Sequence, residues 1–116
     1  MTRYGLTIPF SNPMPLPDQL KLAQEAEARG YDTAWINEVS GSDAVTTMAL
    51  LATHTKRLNI VSGIIPVQTR TPVVLGMTAA SLGTLAPGRI GLGLGVSSPI
   101  IISQWHGVPF EKSLAR

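Results

Sequence analysis

Hydrophobic and polar positions along the chain switch repeatedly between a period of two and a period near 3.6. Arg3 to Phe10 alternates, with Tyr4, Leu6, Ile8 and Phe10 in step, and predicts a strand. Asp18 to Arg29 carries Leu20, Ala23 and Ala26, with Leu22 beside them, at helical spacing, and Gly30 stands just past the end, where helices favour glycine. Asp32 to Asn37 predicts a second strand, followed by a loop over Glu38 to Ser42. Asp43 to Thr55 predicts a helix with Ala44, Val45, Met48, Ala49 and Ala52 inside and Ser40 or Ser42 as its cap. Arg57 to Gly63 is a third strand, and Ile64 to Val67 leads out of it.

The next stretch organises the rest. Thr71 can cap a helix whose first position is Pro72, where no N–H partner is needed. Pro87-Gly88 stops and turns the chain. Ile90 to Val96 is then an apolar run without charge, as expected of a parallel strand covered on both faces. Pro99 to Ser103 is apolar without a clear period, Trp105 to Glu111 reads as a loop, and Lys112 to Arg116 as the first turn of a helix. Strand ends near Pro9, Glu38, Ile65 and Val96 are spaced by roughly 30 residues, the length of a βα unit with a right-handed crossover. Strict alternation fits a doubly wound sheet. It fits equally the first half of an eight-stranded βα barrel, which needs about 250 residues in all. Both place ligands at the carboxyl ends of their strands, here the proline-rich loop after Phe10, Glu38, and Gly95 to Ser98.

Composition narrows the function classes. With 116 residues, 44% of them hydrophobic, the chain suffices for one domain over 1–116 with a real core. Nine basic residues face seven acidic ones and are scattered apart from Lys56-Arg57, so no basic stripe points to nucleic acid. The absence of cysteine excludes disulfide and thiolate chemistry and fits the cytoplasm. The start of the sequence carries no signal pattern, and apolar runs are interrupted by Gly, Ser or Pro, so no membrane segment is expected. No His/Asp/Glu spacing suggests a metal, and no Ser/His/Asp set stands at a nucleophile elbow. GLGLG, Gly91 to Gly95, lacks the spacing of a dinucleotide fingerprint and reads as close packing. Trp35 reads as core, His54 as surface, and His106 as a loop residue beside Trp105, with contact to a ligand as the lesser alternative. Leu6, Ile8, Ile60 and Leu92 are candidates for the inner face of a barrel.

The blocks GYDTAWINE, RLNIVSGIIPV, RTPVVLGMTAASLGTLAPGRIGLGLGVSSP and QWHGVPFEKSLAR, in this order, resemble the luciferase-like monooxygenase superfamily. Within it they are most similar to the oxidoreductases that use the deazaflavin coenzyme F-420. The resemblance implies an α/β fold, the amino-terminal half of a TIM barrel with about four βα units and parallel strands in the order 1-2-3-4. It implies hydride transfer between a deazaflavin and a small organic substrate, with an FMN-dependent monooxygenase, or a non-catalytic half-barrel module, as alternatives. Gly63-Ile64 matches the position of a non-prolyl cis peptide behind the ring. Phe10, Gly63, Ile64, Gly95, Val96 and Ser97 are the implied cofactor contacts, and Glu38 the implied catalytic residue, against its reading as a plain loop acid. The sugar-phosphate branch has a histidine after the acid and a glutamate at the fourth strand end. Val39 and Ser97-Ser98 stand there instead, which argues against that substrate class. A homo-oligomer is also implied. Gly76, Ala80 and Gly83 share one face of their helix, and the spacing fits either a subunit contact or close approach to the strand beneath.

Overall fold

The computed structural model describes residues 1–12 and 14–111; the turn expected over 112–116 lies outside the described residues. In chain order the elements are β1 (Gly5–Thr7), α1 (Leu16–Ala28), β2 (Thr33–Ile36), α2 (Ala44–His54), β3 (Asn59–Ser62), β4 (Ile65–Pro66), α3 (Pro72–Leu85), β5 (Ile90–Gly91) and β6 (Leu94–Gly95), followed by a π-helical turn over Ile100–Trp105. β1, β2, β3 and β5 form a parallel sheet in that order, and β4 pairs with β6, also in parallel. The strand order is therefore sequential, one βα unit beside the next. Ile8, Ala34, Ile36 and Ile60 share one buried cluster with Ala23 of α1, Met48 and Leu51 of α2 and Leu75 and Leu82 of α3. Helices that all pack on one face, with α2 between α1 and α3, make a sector of a βα barrel rather than a doubly wound sheet.

Register fixes the two faces. Leu6 lies opposite Ala34, which lies opposite Ile60, and their shared face is the helix-covered one. The expectation that Leu6, Ile8, Ile60 and Leu92 line the inner face is thus reversed: they share one face as their spacing predicts, but it is the face that the helices cover. The concave face carries Gly5, Thr33, Trp35 and Val61 instead. Trp35, expected in the core, is 43% exposed there. It rests over glycine on both sides: a Cβ at Gly5 would lie 2.9 Å from its indole nitrogen, and one at Gly63 3.1 Å from its ring.

The single strand expected over Ile90 to Val96 is two short ladders with a break between. Ser62, fully buried, spans the break; its hydroxyl donates to Gly93 O at 3.0 Å and accepts from Gly93 N at 2.9 Å. A Cβ at Gly93 would sit 2.1 Å from Ser62 O, so only glycine lets the two backbones meet. Beyond the break, Ile65 N donates to Gly93 O and Val67 N to Gly95 O, which resumes the pairing.

Helix ends follow local chemistry. Thr71 Oγ1 accepts from Val74 N at 3.3 Å and Pro72 opens α3, as its sequence predicts. α2 is capped by Asp43, whose carboxylate accepts from Thr46 N at 2.9 Å, and not by Ser40 or Ser42. The Ser42 hydroxyl is taken by Gln19 Nε2 at 3.1 Å. α1 starts earlier than expected because Pro15 O already accepts from Asp18 N and Gln19 N. Close approach does not explain the glycines of α3, since a Cβ at Gly76 or Gly83 would meet nothing within 4 Å. The apolar run after Ser98, expected as aperiodic, is held as a π-turn: Ile102 is fully buried, Ser98 Oγ accepts from Ile101 N, and His106 N donates to Ile101 O at 3.1 Å.

Candidate functional site

Glu38 stands two residues past β2 and Arg70 precedes the cap of α3, so the sheet brings two residues 32 apart in sequence to one pole. Arg70 grips the Glu38 carboxylate with both terminal nitrogens, Nη1 to Oε1 at 2.5 Å and Nη2 to Oε2 at 2.9 Å. Ala44 N, at the start of α2, donates to Oε2 at 2.8 Å. The two side chains are 13% and 18% exposed, so this forked pair is shielded and orients the β2–α2 loop against the loop before α3. The hydrogen bond to Glu38 raises the Arg70 pKa; burial opposes it, and the charges of Glu38 and Asp43 add to it. Asp43 Oδ2 stands 4.0 Å from Arg70 Nη2. Burial works against its carboxylate, but the hydrogen bonds from Thr46 and the nearby Arg70 outweigh it and hold its pKa below the ordinary value.

These residues wall a polar cavity of about 290 Å³, completed by Ser40, Thr69 and His106. His106 enters from the end of the π-turn. The predicted acid and the loop histidine, far apart in sequence, thus face one space. Phe10, 41% exposed, lies beside a narrow crevice it shares with Asn37 and Ser40 at the ends of β1 and β2.

The other predicted positions form a ledge next along the sheet. The Gly63–Ile64 peptide is cis. Ile64 lies against Gly95, where a Cβ would be 2.9 Å from Ile64 Cγ1, and Ser97 takes a positive φ of 57°. Val96 O accepts from Gln68 Nε2 at 3.0 Å. The amide oxygen of Gln68, a residue only 7% exposed, has no partner among the described residues. A larger hollow of about 550 Å³ opens on the helix side, where Leu94 shares a face with buried Ile65; none of the predicted site residues lines it.

Sequence reasoning missed Arg70, Asp43 and Gln68. The available signal was a lone arginine in the polar turn Thr69-Arg70-Thr71, one helix cap away from an acid at a neighbouring strand end. His54 is exposed, as expected, its ring bonded to Thr53 and to Leu50 O. Among the described residues, no group of three or more His, Cys, Asp or Glu is placed to hold a metal ion, and no helix is long and apolar enough to cross a membrane.

Comparison with known proteins agrees with this geometry. The chain is 37% identical over 98% of its length to the Mycobacterium tuberculosis protein named "Putative coenzyme F420-dependent oxidoreductase Rv3520c", of which it covers 33%. Its fold superposes on an F420-dependent secondary alcohol dehydrogenase in complex with an F420-acetone adduct, with a TM-score of 0.81 and 22% identity over 91% of this chain and 35% of that one. It superposes equally, at 0.81 and 22%, on the oxygenating constituent of 3,6-diketocamphane monooxygenase from Pseudomonas putida in complex with FMN, covering 92% of this chain and 33% of that one. The chain therefore spans about a third of the length of the curated relative it matches. The family described as luciferase-like monooxygenase matches residues 2–116, and the chain belongs to it.

Proposed function

We propose that the whole protein is a cytoplasmic oxidoreductase that passes a hydride between the deazaflavin coenzyme F420 and a small organic substrate. The observation that carries this reading is the likeness along nearly the whole chain to a protein named for coenzyme F420. The ledge supports it. Gly63 and Gly95 present no side chain, Ile64 is held down against Gly95, and the strip is apolar, which suits the face of a planar tricyclic ring. Arg70 is committed to Glu38, so a charged tail would draw its contacts from residues outside those described. When bound, the deazaflavin supplies two-electron hydride chemistry. The chain's own part is to seat the ring on Gly63, Ile64 and Gly95 to Ser97, with Phe10 at its margin. Glu38 and Arg70 lock the loops around the substrate side.

A second reading, an FMN-dependent monooxygenase, is favoured by the equal superposition on the FMN-bound oxygenase. Adding each cofactor in turn to the intact protein separates the two. A stable shift of the deazaflavin absorbance with micromolar affinity, and none with FMN, is the expected result; the reverse pattern selects the second reading. The same proposal makes the protein a homo-oligomer through the exposed face of α3, where Gly76 and Ala80 lie beside Val73 and Met77. A Gly76→Leu variant should then sediment as a monomer.

A further inference from the structure

Among the described residues, the Gln68 amide oxygen is the one buried side-chain nitrogen or oxygen without a hydrogen-bond partner. Leaving a buried acceptor unpaired costs its desolvation, and such groups are rare in folded proteins. Gln68 is only 7% exposed, and in the hollow on the helix side it shares walls with Val67, Pro72, Leu75 and Leu94. A methionine would fill that place without the cost. What the amide supplies is its other end. β4 and β6 are joined by Ile65 N donating to Gly93 O at 2.9 Å and Val67 N to Gly95 O at 2.8 Å. The backbone then leaves the ladder, because Thr69 N turns back to Pro66 O. Gln68 Nε2 provides the next donor from its side chain, to Val96 O at 3.0 Å.

The residue after that carbonyl is Ser97, the only non-glycine with a positive φ among the described residues, at 57°. A side chain disfavours this left-handed conformation, which persists where neighbouring contacts enforce it. The contacts stand on both sides. Before Ser97, Val96 O is held by Gln68. After it, Ser98 Oγ accepts from Ile101 N at 3.3 Å and Ser98 O from Ile102 N at 3.0 Å. We propose that Gln68 is a positioning residue for the cofactor ring: through Val96 O it keeps Ser97 left-handed, and so sets the end of the ledge, Gly95 to Ser97, on which a flat tricyclic ring is seated. The ring's identity rests on the oxidoreductase reading above; the hold on Ser97 does not. No proton or electron passes through the amide. Without it the Val96–Ser97 peptide is free to rotate and to change the outline of the strip beside Gly95.

The intact protein is compared with Gln68→Met, which keeps the length of the side chain and removes both polar atoms. Where Gln68→Met does not fold, Gln68→Glu, which at neutral pH offers Val96 O no donor, is read in its place. In the cofactor-free protein the carbon chemical shifts of Ser97, which report its backbone conformation, should move away from left-handed values. Deazaflavin titrated into the variant should bind at least about tenfold more weakly. The absorption band of the bound cofactor should differ from the parent's. The urea midpoint should stay within about 0.5 M of the parent, because removing the unpaired oxygen offsets the lost bond. Unmoved Ser97 shifts, an unchanged band, or binding within about threefold of the parent each overturn the proposal and leave the oxidoreductase reading standing. So does a larger fall of the midpoint, which makes the amide part of the stabilising fold. A parent that binds FMN alone overturns the deazaflavin reading, and the same titrations with FMN then decide the role of Gln68. A parent that binds neither cofactor overturns both.

Discussion

The two poles of the sheet use the same charged residue types in opposite ways. At the amino pole Glu27 and Arg89 are taken up mainly by neighbouring backbone. The Glu27 carboxylate accepts from the N–H groups of Lys56 at 2.9 Å, Arg57 at 2.6 Å and Leu58 at 2.8 Å, and so caps the turn that leads into β3. Arg89 donates to Ala52 O, Thr55 O, Thr55 Oγ1 and Leu58 O, all within 3.0 Å, which satisfies carbonyls left open at the end of α2. At the carboxyl pole Glu38 and Arg70 pair with each other, while the Gln68 amide oxygen, the His106 ring and the Trp35 face keep unused capacity among the described residues. Polar groups that hold a fold saturate backbone valences, whereas those left unsaturated at a strand end are available to a ligand.

If the comparison is right, the deepest damage comes from the seam between β3 and the strand path after α3. Gly93→Ala should have the largest effect, because its new Cβ would meet the Ser62 carbonyl oxygen at 2.1 Å and backbone cannot rotate away as a side chain can. A loss of at least about 3 kcal/mol in urea unfolding is expected, at the upper end of overpacking costs. Gly95→Ala, whose Cβ meets the side chain of Ile64 rather than backbone, should cost less. Equal losses at the two positions would show that the break is not held by the Ser62–Gly93 contact.

Much of the fold was legible in sequence and the site only in part, for a physical reason. Apolar periodicity reports which residues leave water; together with the Thr71 cap, Pro72 and the Pro87-Gly88 stop around α3, it makes α1, α2, α3 and the first three strands legible. It does not report which side of a strand is covered. It therefore puts Leu6, Ile8, Ile60 and Leu92 on the wrong face and Trp35 in the core. Nor does it see a break such as that at Gly93, which depends on a contact with Ser62, 31 residues away. Glu38 was legible because it ends a strand. Its partner Arg70 was not, because their pairing depends on how two loops converge. His106 could be singled out as a loop residue, but its arrival beside Glu38 depends on a π-turn that no hydrophobic period announces.

At the amino pole the expected effect is smaller and depends on pH. Burial penalises the charged form of Glu27, yet backbone bonds from Arg57, Leu58 and Lys56, with the charge of Arg57, more than offset this and lower its pKa from the model-compound value of 4.5. A carboxylate whose folded pKa is lowered contributes stability that is fully present above its unfolded pKa and is lost as pH falls through the folded one. Glu27→Gln should therefore destabilise the protein by roughly 1 kcal/mol at neutral pH, the typical worth of such bonds at a half-exposed site. The gap to the parent should close on acidification below the ordinary glutamate range. A gap that stays constant from neutral to acid pH would assign the loss to shape rather than charge.

The smallest effect on stability belongs to the concave face. Trp35 is 43% exposed and touches Gly5 and Gly63 rather than the apolar cluster beneath the helices. Trp35→Phe keeps a flat ring over the two glycines and removes no contact of the buried cluster, so it should cost less than about 1 kcal/mol, in the low range expected outside a core. The same substitution should be felt strongly by a ligand. Trp35 stands beside Gly63, at the edge of the ledge proposed for the deazaflavin ring, and the chain has only one other tryptophan, Trp105. In a Trp105→Phe background the remaining indole reports on this face alone, and its emission should be quenched as deazaflavin is titrated in. Loss of more than about 2 kcal/mol on Trp35→Phe would make this face part of the stabilising core and remove the contrast between the poles. Unquenched emission at saturating cofactor would place the ring somewhere other than this ledge.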